Sequence, residues 1–160
     1  MWRPARLEGE EPMHEARRHS LVEVDPEKHL ARVARDGKVL DFVVTGVILE
    51  AQFDLADGSS LLWLTEDSPY DEGLHVYLIG RGGELEDALE AGATFAPGLL
   101  EIRATGEDWV RFAFFRNERE YQLEVGPRAR FRMFPPLGWR YPRRLARHRL
   151  AVHTLHKGSS

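Results

Sequence analysis

Val47-Ile48-Leu49-Glu50-Ala51-Gln52-Phe53-Asp54-Leu55 places apolar residues at every odd position and, Ile48 apart, polar ones at the even positions. That is the period of a β-strand with one wet face, and a helix would not sort these side chains. Asp57-Gly58 then supplies residues that tolerate positive φ, and Leu61-Leu62-Trp63-Leu64 resumes an apolar run, so the pair reads as a hairpin. An acidic, proline-containing turn follows, Thr65-Glu66-Asp67-Ser68-Pro69-Tyr70-Asp71-Glu72-Gly73. Leu74 to Ile79 is the next strand, closed by Gly80-Arg81-Gly82-Gly83.

The same punctuation runs outward in both directions. Upstream, Ser20 to Val24 reads as a strand, Asp25-Pro26-Glu27-Lys28 as a turn with proline at its favoured second position, and Asp36-Gly37 as a hairpin joining His29–Arg35 to Val39–Thr45. Gly46 marks a bulge or bend before the central hairpin. Downstream, Glu84 to Gly92 has a helical stripe at Leu85, Ala88, Leu89 and Gly92. Nine residues framed by glycines favour a strand, because a hairpin needs less chain than a docked helix. Ala96-Pro97-Gly98 is a turn, and Leu99–Thr105, Trp109–Phe115 and Glu120–Val125 form a second meander. Its connections are Thr105–Asp108 and Arg116–Arg119.

Strands at this spacing, joined by tight turns, predict an all-β chain: a single antiparallel β-sandwich or an up-and-down, barrel-like meander. Parallel α/β architecture is disfavoured because no helix is long enough for each crossover. The expected division is a mobile leader over residues 1–19, with one helical turn near Met13–Arg18; a β domain over 20–126; and a basic, aromatic extension over 127–160. Met13 is a second candidate start. In the extension, Pro142 opens an expected short helix from Arg143 to His156.

Composition bounds the function. The 160 residues are 42% hydrophobic and 30% charged, enough for one ordered core. There are no cysteines, which removes disulfides, thiolate nucleophiles and Cys-based metal sites. No apolar run approaches a membrane span and no signal-peptide pattern opens the chain, so the expected compartment is the cytoplasm. The net charge of −4 hides a division: from Gly126 onward eight arginines and Lys157 meet no acidic residue, giving +9, while residues 1–125 carry −13. Such a tail either binds a polyanion or folds back on the acidic body.

Three functional readings follow. Glu66, Asp67, Asp71 and Glu72 form an acidic surface suited to capturing a basic protein, as a non-enzymatic, immunity- or adaptor-like accessory protein would. With His75 they also resemble a hard-cation loop, but the spacing does not fit the EF-hand loop and Pro69 limits how the backbone can curl, so neither metal nor cofactor is expected. Second, Arg128, Arg130, Arg132, Trp139, Arg140, Arg143 and Arg144 combine phosphate-binding charge with stacking faces, as in single-strand nucleic-acid binding. Third, Trp63 and Phe112 would line a small-molecule cavity if the sheet closed into a wide barrel, or would fill the core. The paired acids Glu50, Asp54, Glu101 and Glu124 carry no specific spacing, and no serine elbow or phosphate loop is present, so nothing asks for an enzyme.

Overall fold

A computed structural model of the chain describes residues 13–67, 71–94, 100–114, 119–131, 135–143 and 146–155, with the backbone alone given for Asp71, Glu72, Ala93 and Thr94. In chain order the strands are β1 (His14–Glu15), β2 (His19–Asp25), β3 (Leu30–Arg35), β4 (Lys38–Thr45), β5 (Ile48–Asp54), β6 (Ser60–Thr65) and β7 (Asp71–Ile79). They continue with β8 (Leu85–Thr94), β9 (Glu101–Thr105), β10 (Trp109–Ala113), β11 (Glu120–Phe131), β12 (Trp139–Arg140) and β13 (Arg147–Leu155). Every pairing is antiparallel.

Three sheets result. The six-stranded one runs β1-β5-β6-β7-β8-β12, the four-stranded β13-β11-β10-β9 and the three-stranded β2-β3-β4. Strand β6 shows how they stack, because all six of its residues are buried. Leu61 and Trp63 enter one core with Phe112, Tyr121, Leu123 and Leu150 of the four-stranded sheet, while Leu62 and Leu64 enter a second with Ala31, Val33 and Val44 of the three-stranded sheet. The six-stranded sheet is therefore the middle layer, which explains why Leu61–Leu64 is apolar without alternation: both faces of the strand are covered. Face-to-face packing of antiparallel sheets is the expected sandwich, enlarged by a third sheet on its outer side. Both edges of the middle layer are two-residue strands, which leaves little unpaired ladder for edge-to-edge association.

The expected helix over Arg143–His156 is not there. Arg147–Leu155 is β13, hydrogen-bonded along β11. His148, Leu150 and Val152 are buried while Arg147 and His153 are exposed, an alternation interrupted by small, buried Ala151 that still outweighs the broken helical stripe. At the other end Met13–Arg18 forms no helical turn. Met13 lies in the first core, its amide donates to the Gly106 carbonyl, and β1 pairs with β5. The division expected at residue 126 falls inside β11, and β12 and β13 are strands of the middle and four-stranded sheets. The Ala96–Gly98 turn lies outside the described residues. Among the described residues no helix is long and apolar enough to cross a membrane.

Gly46 bends the chain where expected. It adopts φ of +130°, its amide donates to the His29 carbonyl at 2.7 Å, and a Cβ there would lie 2.7 Å from Leu64 Cβ. Thr45 and β4 are thereby laid against the middle sheet, at the rim of the polar site below.

Candidate functional site

The register of the middle sheet lines up one row of residues across four strands. Leu64 pairs with His75, His75 with Glu90, and Glu90 with Arg140. Opposite residues project to the same face, here the one covered in part by the three-stranded sheet. One step further along, Tyr77 and Ala88 belong to the second apolar core, so the polar row begins where that core ends.

Glu66 completes the group from the loop after β6. His75, only 6% exposed, sits between two carboxylates: Nε2 is 3.2 Å from Glu66 Oε2 and Nδ1 is 3.0 Å from Glu90 Oε2. Neither ring nitrogen makes a hydrogen bond of good geometry to them. The guanidinium of Arg140 donates to the other oxygen of Glu90. Burial pushes the Glu90 carboxyl up, but the close approach of the His75 ring and the bond from Arg140 outweigh this and hold it below its ordinary value. Tyr77, in the second core, holds Thr45 at the rim: the Thr45 amide donates to its hydroxyl at 2.8 Å, and burial raises the phenol's pKa.

Two glycines make the space. Gly73 and Gly92 face each other across β7 and β8. A Cβ on Gly73 would sit 2.0 Å from Glu66 Oε2 and 3.0 Å from His75 Nε2, so a side chain there would expel Glu66. A Cβ on Gly92 would meet nothing within 4 Å. The opening is a cleft of about 430 Å³ lined by Thr45, Glu66, His75, Glu90, Trp139 and Arg140, together with the glycines. An acidic wall with one guanidinium at its edge suits a ligand that brings a cation and an acceptor. Among the described residues no group of three or more His, Asp or Glu side chains is placed to hold a metal ion.

Two other polar clusters tie sheets together. Asp87, 1% exposed, accepts from the Leu150 amide at 2.9 Å and lies 2.8 Å from His148 Nδ1, and Tyr141 stacks on His148 with ring centroids 3.7 Å apart. Arg149 donates to Glu86, to Asp57 at 2.9 Å and to the Gly126 carbonyl at 2.9 Å. A smaller cleft of about 250 Å³ lies beside it, lined by Asp57, Glu107, Asp108 and Pro127.

The residues named from sequence are dispersed. Of the acidic turn, Glu66 points inward to His75, Asp67 is exposed with φ of +54°, and Asp71 and Glu72 begin β7, their side chains outside the described atoms. Trp63 and Phe112 are both fully buried and pack edge to face, centroids 4.8 Å apart, in the first core. In the tail, Trp139 is buried against Phe112 and Tyr121, Arg140 is held by Glu90, and Arg143 donates to the Leu85 and Glu86 carbonyls. Arg128 and Arg130 are exposed, and Arg132 and Arg144 lie outside the described residues. Glu50 accepts from Thr65 Oγ1, Asp54 from Ser60 Oγ, and Glu101 pairs with Arg103.

Glu90, Gly73 and Gly92 were missed as site residues. Their signal was available: alternation carries Gly73, His75 and Tyr77 to one face of β7, and Glu90 and Gly92 to one face of β8. Only the pairing register brings the two sets together. No family model, no curated protein and no solved structure matches the chain.

Proposed function

We propose that the cleft at Glu66, His75, Glu90 and Arg140 is a binding site for a small polar molecule carrying a protonated amine, of the size and type of a free amino acid. The observation that carries this reading is His75, a polar side chain more than nine-tenths buried whose ring nitrogens lack well-formed hydrogen bonds, at the wall of a cleft kept open by Gly73 and Gly92. Buried polar groups are normally satisfied, and one left short beside an open space is a place for a ligand's donor or acceptor. With a neutral imidazole the two carboxylates and one guanidinium leave one net negative charge. A ligand ammonium is received by Glu66, whose partner in the site is His75. Arg140, bound to Glu90 through Nε alone, keeps its terminal nitrogens for a ligand carboxylate or carbonyl.

Calorimetric titration with the free amino acids, putrescine and glucosamine tests this. At least one should bind to wild type, and binding should be lost in Gly92→Val, which fills the cleft, and in Glu66→Gln, with neither melting temperature lowered. Binding that survives Gly92→Val, or the absence of binding by every probe, overturns the reading.

Capture of a basic protein is the second reading, and exposed Asp67 beside Glu66 favours it, since an incoming lysine or arginine side chain would meet both acids. A peptide displaying lysine would then bind where the free amines do not, and Asp67→Lys would abolish that binding.

A further inference from the structure

We propose that the distal end of the β11–β13 ribbon is a separate binding surface for single-stranded nucleic acid. Beyond Val125, β11 has only β13 for a partner among the described residues, because β10 pairs with Tyr121 to Glu124 and no further. The ladder then slips: Val125 pairs with Leu150, but the next pairs are Arg130 with His148 and Phe131 with Arg147. The extra residues of β11 bulge outward, and Pro127, Arg128 and Ala129 are exposed on that bulge. Bulges re-aim side chains, and proline is accommodated there because its missing N–H takes no ladder bond.

The charge of this end is unspent. Arg140, Arg143 and Arg149 are bound to carboxylates or carbonyls of the body. Arg128, Arg130 and Arg147 are exposed and make no ion pair with any described residue. Among the described residues the tail's arginines are thus divided between those that staple it to the acidic body and three that face solvent. Next to Arg130 along β11 stands Phe131, 59% exposed where aromatic rings are usually buried, directly across the ladder from Arg147 and on its face. Cross-strand neighbours lie roughly 5 Å apart, so a ring face and a guanidinium fall within the reach of one nucleotide. A base stacks on the ring while its phosphate takes the guanidinium fork, which is the pair of interactions that single-strand binders use. Glu107 and Asp108 border the root of the ribbon near Pro127 and confine phosphate contact to its far end.

Three phosphate contacts give a shallow salt dependence. For a single strand the slope of log affinity against log salt is about −2, so Kd should rise about 16-fold when salt is raised about fourfold. Fluorescence anisotropy with a short labelled oligodeoxythymidylate reads this directly. The double variant Arg128→Gln, Arg130→Gln should bind more weakly with a slope near −0.7. Phe131→Ala should weaken binding by at least about fivefold with the slope unchanged. Should Phe131→Ala alter the melt, Phe131→Leu keeps apolar bulk without an aromatic face and must also weaken binding. Gly92→Val, which closes the amine cleft, should leave oligonucleotide affinity as it is. An oligonucleotide that does not bind at low salt, binding indifferent to the ribbon variants, or capture instead by phosphatidylserine–phosphatidylcholine vesicles overturns the proposal.

Discussion

Gly73 stands directly opposite Gly92 in the β7–β8 ladder, but the two hydrogens face different surroundings: Glu66 Oε2 crowds the first and open space meets the second. Paired glycines weaken a sheet interior, because neither contributes packing and each loses more backbone entropy than any other residue. Gly92→Val should therefore hold or raise the melting temperature while closing the cleft. Gly73→Ala clashes hardest with the end of the flexible Glu66 side chain and presses lightly on His75 Nε2, so stability should change by less than about 1 kcal/mol while Glu66 swings off His75. The imidazole resonances of His75 report that displacement by NMR. A Gly73→Ala protein in which they keep their wild-type positions would mean that Glu66 does not lie over the ring.

Glu90 ties the same site to acid stability. Its carboxyl is held below the ordinary value of 4.5, so its contribution to folding is complete above that pH and is lost as pH falls through the lower, folded-state pKa. Removing Arg140 deletes one of the interactions that outweigh burial, and the carboxyl must rise. Urea midpoints of Arg140→Ala should accordingly begin to fall at higher pH than those of wild type between about pH 6 and pH 3. Superimposable acid limbs would show that Arg140 does not hold the charge on Glu90.

Asp87 is expected to be the most sensitive polar position. It joins β8 of the middle sheet to β13 of the four-stranded sheet through the Leu150 amide and His148. Truncation to alanine strands a buried N–H and a buried imidazole at once, at a cost of about 2–5 kcal/mol. Arg103, half-exposed between Glu101 and Glu120, is the contrast: its removal should cost less than about 1 kcal/mol. Chemical denaturation of Asp87→Ala and Arg103→Ala should separate them clearly. Equal losses would place the β8–β13 connection in apolar packing and not in Asp87.

Local signals carried most of the strands. Asp36 and Gly37 take φ of +51° and +83°, the mirror-image turn that Asp-Gly announces, and the alternation of Val47 to Leu55 became β5. Layering was less legible. Leu61 to Leu64 states that a strand is buried on both faces, but not which other segments supply the two covers. The tail misled because Leu145, Arg149, Val152 and His156 share a helical face, while the outcome was decided by pairing with β11, a partner outside that local window. The site was the hardest to see. Glu66, His75, Glu90 and Arg140 come from four places in the chain, and their meeting is a property of register, which no local pattern of charge encodes.

Gly46 separates two reasons for needing a glycine. Its φ of +130° is costly for any L side chain, and its missing Cβ lets the chain pass Leu64, which is fully buried and backed by the second core. Alanine there meets strain and a wall that cannot yield, so Gly46→Ala should cost about 2–4 kcal/mol. Gly37 also has positive φ, but nothing lies within 4 Å of the Cβ it would carry. Asparagine tolerates the left-handed region, and Gly37→Asn should cost less than about 1 kcal/mol. Urea unfolding of the two variants isolates the contribution of close packing from that of backbone conformation. If both lose the same stability, the approach of Gly46 to Leu64 is not what holds β4 and β5 at the rim of the cleft.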